Sequence, residues 1–149
     1  MTTQTVGTRT SLPFTSTSLS ALASGTYVQN TTAYDCTANK PQDVIIELDA
    51  TTTNTPSGNK QVCAFIQESL DGTNFRSGPT SGTTTTREGN LRPLGPPMPL
   101  TTASQTEIAT WSVLQALGYV PQKFYVVFKN DLGVALTSAA CFTSEIVYA

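Results

Sequence analysis

Apolar and polar positions alternate with a period of two along most of this chain, most clearly over residues 123–130, Lys-Phe-Tyr-Val-Val-Phe-Lys-Asn. In an extended chain Phe124, Val126 and Phe128 point to one face, and Tyr125, Val127 and Lys129 to the other. Most of these residues are aromatic or β-branched and fit a pleated surface. The pattern predicts a central strand with one face on a β core. The other face is too apolar for open water, so a second layer, a long loop or a neighbouring subunit is expected to cover it.

The same reading extends along the chain. Residues 25–34, with Tyr27 and Val28, form a candidate first strand, and Val44-Ile45-Ile46-Glu47-Leu48 is a short strand suited to a sheet centre. Over 61–69, Val62, Ala64 and Ile66 alternate with Cys63, Phe65 and Gln67. Asp71-Gly72-Thr73-Asn74 closes that strand as a turn, because glycine tolerates positive φ beside a carboxylate that can cap backbone donors. Phe75 is expected to tuck back onto the core. Residues 107–114 predict a strand with Trp111 on its buried face, 115–119 a helical turn ended by Gly118, 130–133 a hairpin-like turn and 139–148 a last strand. About six to eight strands and no long helix make an all-β antiparallel sandwich or jelly roll the expected fold.

Two segments depart from this alternation. Residues 1–24 form a Thr- and Ser-rich arm with Leu12, Pro13, Phe14, Leu19 and Leu22 as its apolar anchors, expected to be tied down along its own domain or on a neighbour. Residues 76–102, within the single domain 25–149, form a long Gly/Pro/Thr-rich loop whose threonine run at 83–86 is a candidate edge strand. A loop of this length needs a purpose. Its Leu91, Leu94, Met98 and Leu100 stand among prolines that pre-order the chain for docking. With Leu12 and Phe14 they are the expected contacts with a neighbouring subunit.

Composition narrows the function. The 149 residues are 38% hydrophobic, enough for one modest core, and only 12% are charged. A net charge of -2 gives no footprint for a nucleic-acid backbone, and its weak self-repulsion suits a chain packed against others. No basic segment followed by an apolar run reads as a secretory signal, and no stretch is long enough to span a bilayer. Synthesis in a cytoplasm and no membrane partner are the expectation.

Histidine is absent, which removes the commonest general base near neutral pH and any Ser-His-Asp or Cys-His arrangement within the chain. Cys36, Cys63 and Cys141 lack metal-ligand spacing, and their odd number argues against a disulfide scaffold. Cys63 and Cys141 sit in strand patterns as small hydrophobes, and Cys36, beside Asp35 in a turn-like segment, is the candidate for pairing between chains. Asp35, Asp43, Glu47 and Asp49 are a small acidic cluster, with Glu47 and Asp49 on one strand face, and Glu68 and Asp71 are a similar pair. Either pair has the composition for glycoside hydrolysis or calcium binding, yet solvent-facing or contact roles are the simpler reading. No enzyme activity, cofactor or metal is expected. The rival is a carbohydrate- or receptor-binding module, with Tyr27, Tyr34 and Tyr119 as stacking candidates aided by Asp71 and Asn74.

The run Phe65-Ile66-Gln67-Glu68-Ser69-Leu70-Asp71-Gly72-Thr73-Asn74-Phe75, with Leu117-Gly118-Tyr119 and Lys123-Phe124-Tyr125-Val126-Val127-Phe128 downstream, resembles small β-sandwich virion proteins of tailed bacteriophages, especially capsid decoration (cement) proteins. In that family a strand ends in a Ser-Leu-Asp-Gly-Thr type turn, and a later strand follows a Leu-Gly-x-Tyr type stretch; here Tyr119 follows Gly118 directly. The resemblance covers residues 44–148. It implies a non-enzymatic homo-oligomer, often a trimer, bound on the outer capsid surface between major capsid subunits that it reinforces. The arm at 1–24 is then a candidate capsid-binding element, Leu12, Phe14, Leu91, Leu94, Met98 and Leu100 become candidate subunit or capsid contacts, and the rival becomes a carbohydrate- or receptor-binding module of a phage tail or fibre.

Overall fold

The computed structural model describes residues 3–83 and 87–148. Strands β1 (Gln4–Val6) and β2 (Thr10–Ser11) precede a short helix, α1 (Ser16–Ser20). They are followed by β3 (Tyr27–Gln29), β4 (Tyr34–Asp35), β5 (Asp43–Thr51) and β6 (Gln61–Ser69). The long loop contributes β7 (Ser81–Gly82), a 3-10 turn at Glu88–Asn90, β8 (Arg92–Pro93) and β9 (Met98–Pro99). Then come β10 (Glu107–Ser112), α2 (Val113–Leu117), β11 (Lys123–Asn130) and β12 (Ser138–Tyr148).

These strands make an all-β fold of two antiparallel sheets. The β5 sheet runs β1-β12-β5-β10, with β2 also on β12. The β11 sheet runs β7-β3-β11-β6-β8, with β4 on β11 and β9 on β6. As expected, 123–130 is a central strand: β11 pairs β6 from Lys123↔Ser69 to Asn130↔Val62 and takes β3 and β4 on its other side. Both sheets bury their inward faces in one core. Val44, Ile46 and Leu48 of β5 and Trp111 of β10 share it with Val62, Ala64 and Ile66 of β6 and Phe124, Val126 and Phe128 of β11.

The arm lies along its own domain. β1 pairs the end of β12 and β2 its middle, while Leu12, Leu19 and Leu22 enter the core and the Phe14 ring sits 5.5 Å from that of Phe128. The long loop also folds onto its own chain. Leu91 joins Tyr27 and Val127 in a second cluster, with Phe65 packed against it, on the outward face of the β11 sheet, so a loop covers that apolar face. Leu94, Met98 and Leu100 enter the main core, and Trp111, buried as expected, donates its Nε1–H to the Pro96 carbonyl at 2.9 Å. Of the threonine run at 83–86, where an edge strand was expected, residues 84–86 lie outside the described residues.

Other local expectations are corrected. The strand at 107–114 stops at Ser112, whose Oγ accepts the Gln115 N–H at 2.9 Å and caps α2. The helix ends at Gly118, as expected, where φ is +81°, a left-handed conformation that favours glycine. Residues 130–133 are not a hairpin, because β11 and β12 belong to different sheets and the chain crosses between them there. The buried Asn130 side chain holds the crossing: Nδ2 donates to the carbonyls of Leu22 (2.7 Å) and Val134 (2.9 Å), and Oδ1 accepts from Leu132 N–H (2.8 Å). Phe75 packs on Tyr125, centroids 4.8 Å apart, on the outward face of the β11 sheet and not in the core.

Candidate functional site

Two surfaces carry chemistry. The first is the outward face of the β5 sheet. Register places Ile45, Glu47 and Asp49 of β5 beside Ser144, Phe142 and Ala140 of β12 and Ser112, Thr110 and Ile108 of β10, all on that face. Asp43, Glu47 and Asp49 of the expected acidic cluster are therefore not at an edge, since β5 is flanked on both sides, and Asp35 lies apart from them on β4 in the other sheet. Arg9, in the turn between β1 and β2, lies over the Phe142 ring at 3.3 Å from its centroid. Its Nε donates to Glu47 Oε1 at 2.7 Å and its Nη2 to Asp49 Oδ2 at 2.8 Å. One guanidinium thus ties the arm to the face and bridges both carboxylates. Val6, paired with Ile146, and Tyr148, paired with Gln4, extend the face along β1 and β12. Val6 is 70% exposed, Ile108 62% and Tyr148 56%.

The second surface is a cleft of about 590 Å³ at the end of β6, lined by Glu68, Leu70, Asp71, Asn74, Arg76, Ser77 and Asn90. Alternation along β6 puts Glu68 in the same phase as Val62, Ala64 and Ile66, so a carboxylate ends the inward row. Its side chain is 5% exposed. Glu68 Oε1 accepts from Arg76 Nε at 2.9 Å and from the Tyr119 hydroxyl at 3.5 Å, with Arg92 Nη1 at 3.8 Å. Oε2 is buried and has no hydrogen-bond partner among the described residues. Asp71 organises the cleft's turn: its Oδ1 accepts from the backbone N–H groups of Thr73 (2.9 Å) and Asn74 (2.8 Å) and from Ser69 Oγ (3.0 Å). These bonds, led by the Asn74 N–H, hold its carboxyl far below the usual carboxylate range. The Asn90 amide reaches Ser77 Oγ at 3.2 Å and joins the two loop segments.

The expected contact residues sit elsewhere. Leu12, Leu91, Leu94, Met98 and Leu100 are all buried within the chain, and Phe14 alone keeps partial exposure. Their side chains serve this chain's own core. Of the stacking candidates, Tyr27 is buried, while Tyr34 is half-buried, stacked on Phe124 at 5.1 Å and donating to Glu145 Oε1. The structure does bring Tyr119, Asp71 and Asn74 to one place, around Glu68. The sequence reading named Glu68 with Asp71 as a solvent-facing or contact pair; what it missed is that Glu68 is buried, and the signal was present: a glutamate in core-facing phase at the end of an alternating strand.

The cysteines are also rearranged. All three are free. Cys36 is buried and its thiol is pushed up to about 12, chiefly by desolvation, so it is poorly placed for pairing between chains. Cys141 is buried as expected, and Cys63, on the outward face of β6, is the most accessible of the three. Among the described residues no group of three or more His, Cys, Asp or Glu is arranged to hold a metal ion, and no helix is long and apolar enough to cross a membrane.

No protein-family model and no curated protein matches this chain.

Proposed function

We propose that this chain is a non-enzymatic structural protein of a tailed-phage virion, an oligomeric capsid decoration protein that sits on the outer head between major capsid subunits. In this reading its two sheets form an antiparallel sandwich, and the outward face of the β5 sheet is the contact face. The observation that carries it is the uneven cover of the two sheets. The β11 sheet has its outward apolar residues roofed by the long loop. The β5 sheet exposes Val6, Ile108 and Tyr148 around a small cluster in which Arg9 pairs with both Glu47 and Asp49 and offsets half of their charge. A low-charge face with exposed apolar side chains and paired ions fits a permanent protein contact better than open solvent. The contact residues in this reading are those of the sheet face in place of the buried leucines of the loop.

The test is light scattering on the purified chain together with binding to decoration-free heads, repeated with Ile108→Asp and Val6→Asp. Both positions are exposed, so the variants keep the monomer fold. The expected result is an oligomer that binds heads, with binding weakened about tenfold or more in the variants. A monomer that binds no head overturns the reading.

A further inference from the structure

The geometry points to a second role for the cleft at the end of β6, as a binding site for a neutral saccharide unit. Three observations carry this. The first is Glu68. A buried carboxylate oxygen without a donor is costly, and no described residue supplies one to Oε2. A ligand hydroxyl is one source of that donor, and the cleft that Glu68 lines is where it would enter.

The second is charge. Of the lining, Glu68 and Asp71 are acidic and Arg76 is basic, while Arg92 approaches Glu68 Oε1 from outside the lining. An anionic ligand meets two carboxylates, and a cationic one meets carboxylates already engaged by Arg76, Arg92 and the donors of the Asp71 turn. Hydroxyl groups, which both donate and accept, suit such a wall. The third is the lining itself: Asn74, Ser77 and Asn90 interleave donors and acceptors, and Leu70, 66% exposed, offers an apolar rim for the C–H face of a sugar ring. The volume of about 590 Å³ accommodates one or two sugar rings. The site lies on the β11 sheet, away from the face assigned to assembly, so it stands or falls independently of the capsid role.

The experiment is a titration of the isotopically labelled full chain, followed by amide chemical shifts. The probes are the methyl glycosides of glucose, galactose, mannose and N-acetylglucosamine, with sodium acetate as an anion control. The expected result is saturable shifts at millimolar glycoside, confined to residues 68–77 and 90 and absent with acetate. Affinity falls about tenfold or more in Glu68→Gln and in Asn90→Ala, as loss of a hydrogen bond to a ligand predicts. Asn90 is exposed, so its variant decides the matter even if Glu68→Gln fails to fold. No saturable shift with any glycoside, an equal response to acetate, or unchanged affinity in a folded variant overturns the inference.

Discussion

Asp71 illustrates how single side chains fix this molecule. It accepts from two backbone N–H groups and two side chains within four residues, and Gly72 beside it takes φ +76°. Its carboxyl is depressed chiefly by the hydrogen bond from Asn74 N–H. A depressed carboxylate contributes stability that is complete above the unfolded pKa of about 4 and is lost as pH falls towards the folded value. Asp71→Asn removes that contribution. Wild type is therefore expected to melt higher than the variant at neutral pH, with the gap closing below about pH 4. Thermal melts from acid to neutral pH check this, and a gap independent of pH refutes it. The turn was legible in the sequence because all of its partners are local. Glu68 was harder, because its partners Arg76, Arg92 and Tyr119 meet only when the loop folds back.

At the scale of elements, the arm and the loop change meaning most. Both carry apolar residues without a long alternating run, which in sequence looks like material for a partner. In the structure the arm supplies β1 and β2 to β12, and the loop supplies β8 and β9 to β6. Each covers a strand that would otherwise end its sheet with unpaired backbone groups. Deleting residues 1–11 removes Arg9 and both arm strands, leaving the edge of β12 bare and Glu47 and Asp49 facing each other without their counter-ion. The expected outcome is a lower urea midpoint and stronger concentration-dependent association. An unchanged midpoint would mean that the arm is a detachable tether after all. The loop is equally constrained at Gly95, where an added Cβ would stand 2.8 Å from Trp111 Cδ1.

For the molecule as a whole, stability rests on one core shared by two sheets, and no covalent cross-link contributes. The three thiols are free, two of them deep in the fold. Reductant is therefore expected to leave the thermal midpoint of the purified protein unchanged. A midpoint that falls on reduction would reveal a disulfide between chains, with Cys63 as its accessible site. The two candidate surfaces belong to different sheets, so a variant in one is expected to leave the other's binding intact, and the head-binding assay and the glycoside titration measure that separation.

The sequence by itself determined the main strands. Alternation located β6 and β11 with their bounds and β5 and β12 to within a few residues, and Gly72 and Gly118 marked a turn and a helix end, because side-chain period and backbone freedom are local properties. Tertiary structure decided which strands share a sheet, and so turned 130–133 from a hairpin into a crossing held by Asn130. It also decided where the scattered leucines of the arm and loop are spent. An apolar residue in sequence shows that burial is favourable, but only the folded chain shows whether its own core or another protein supplies the cover.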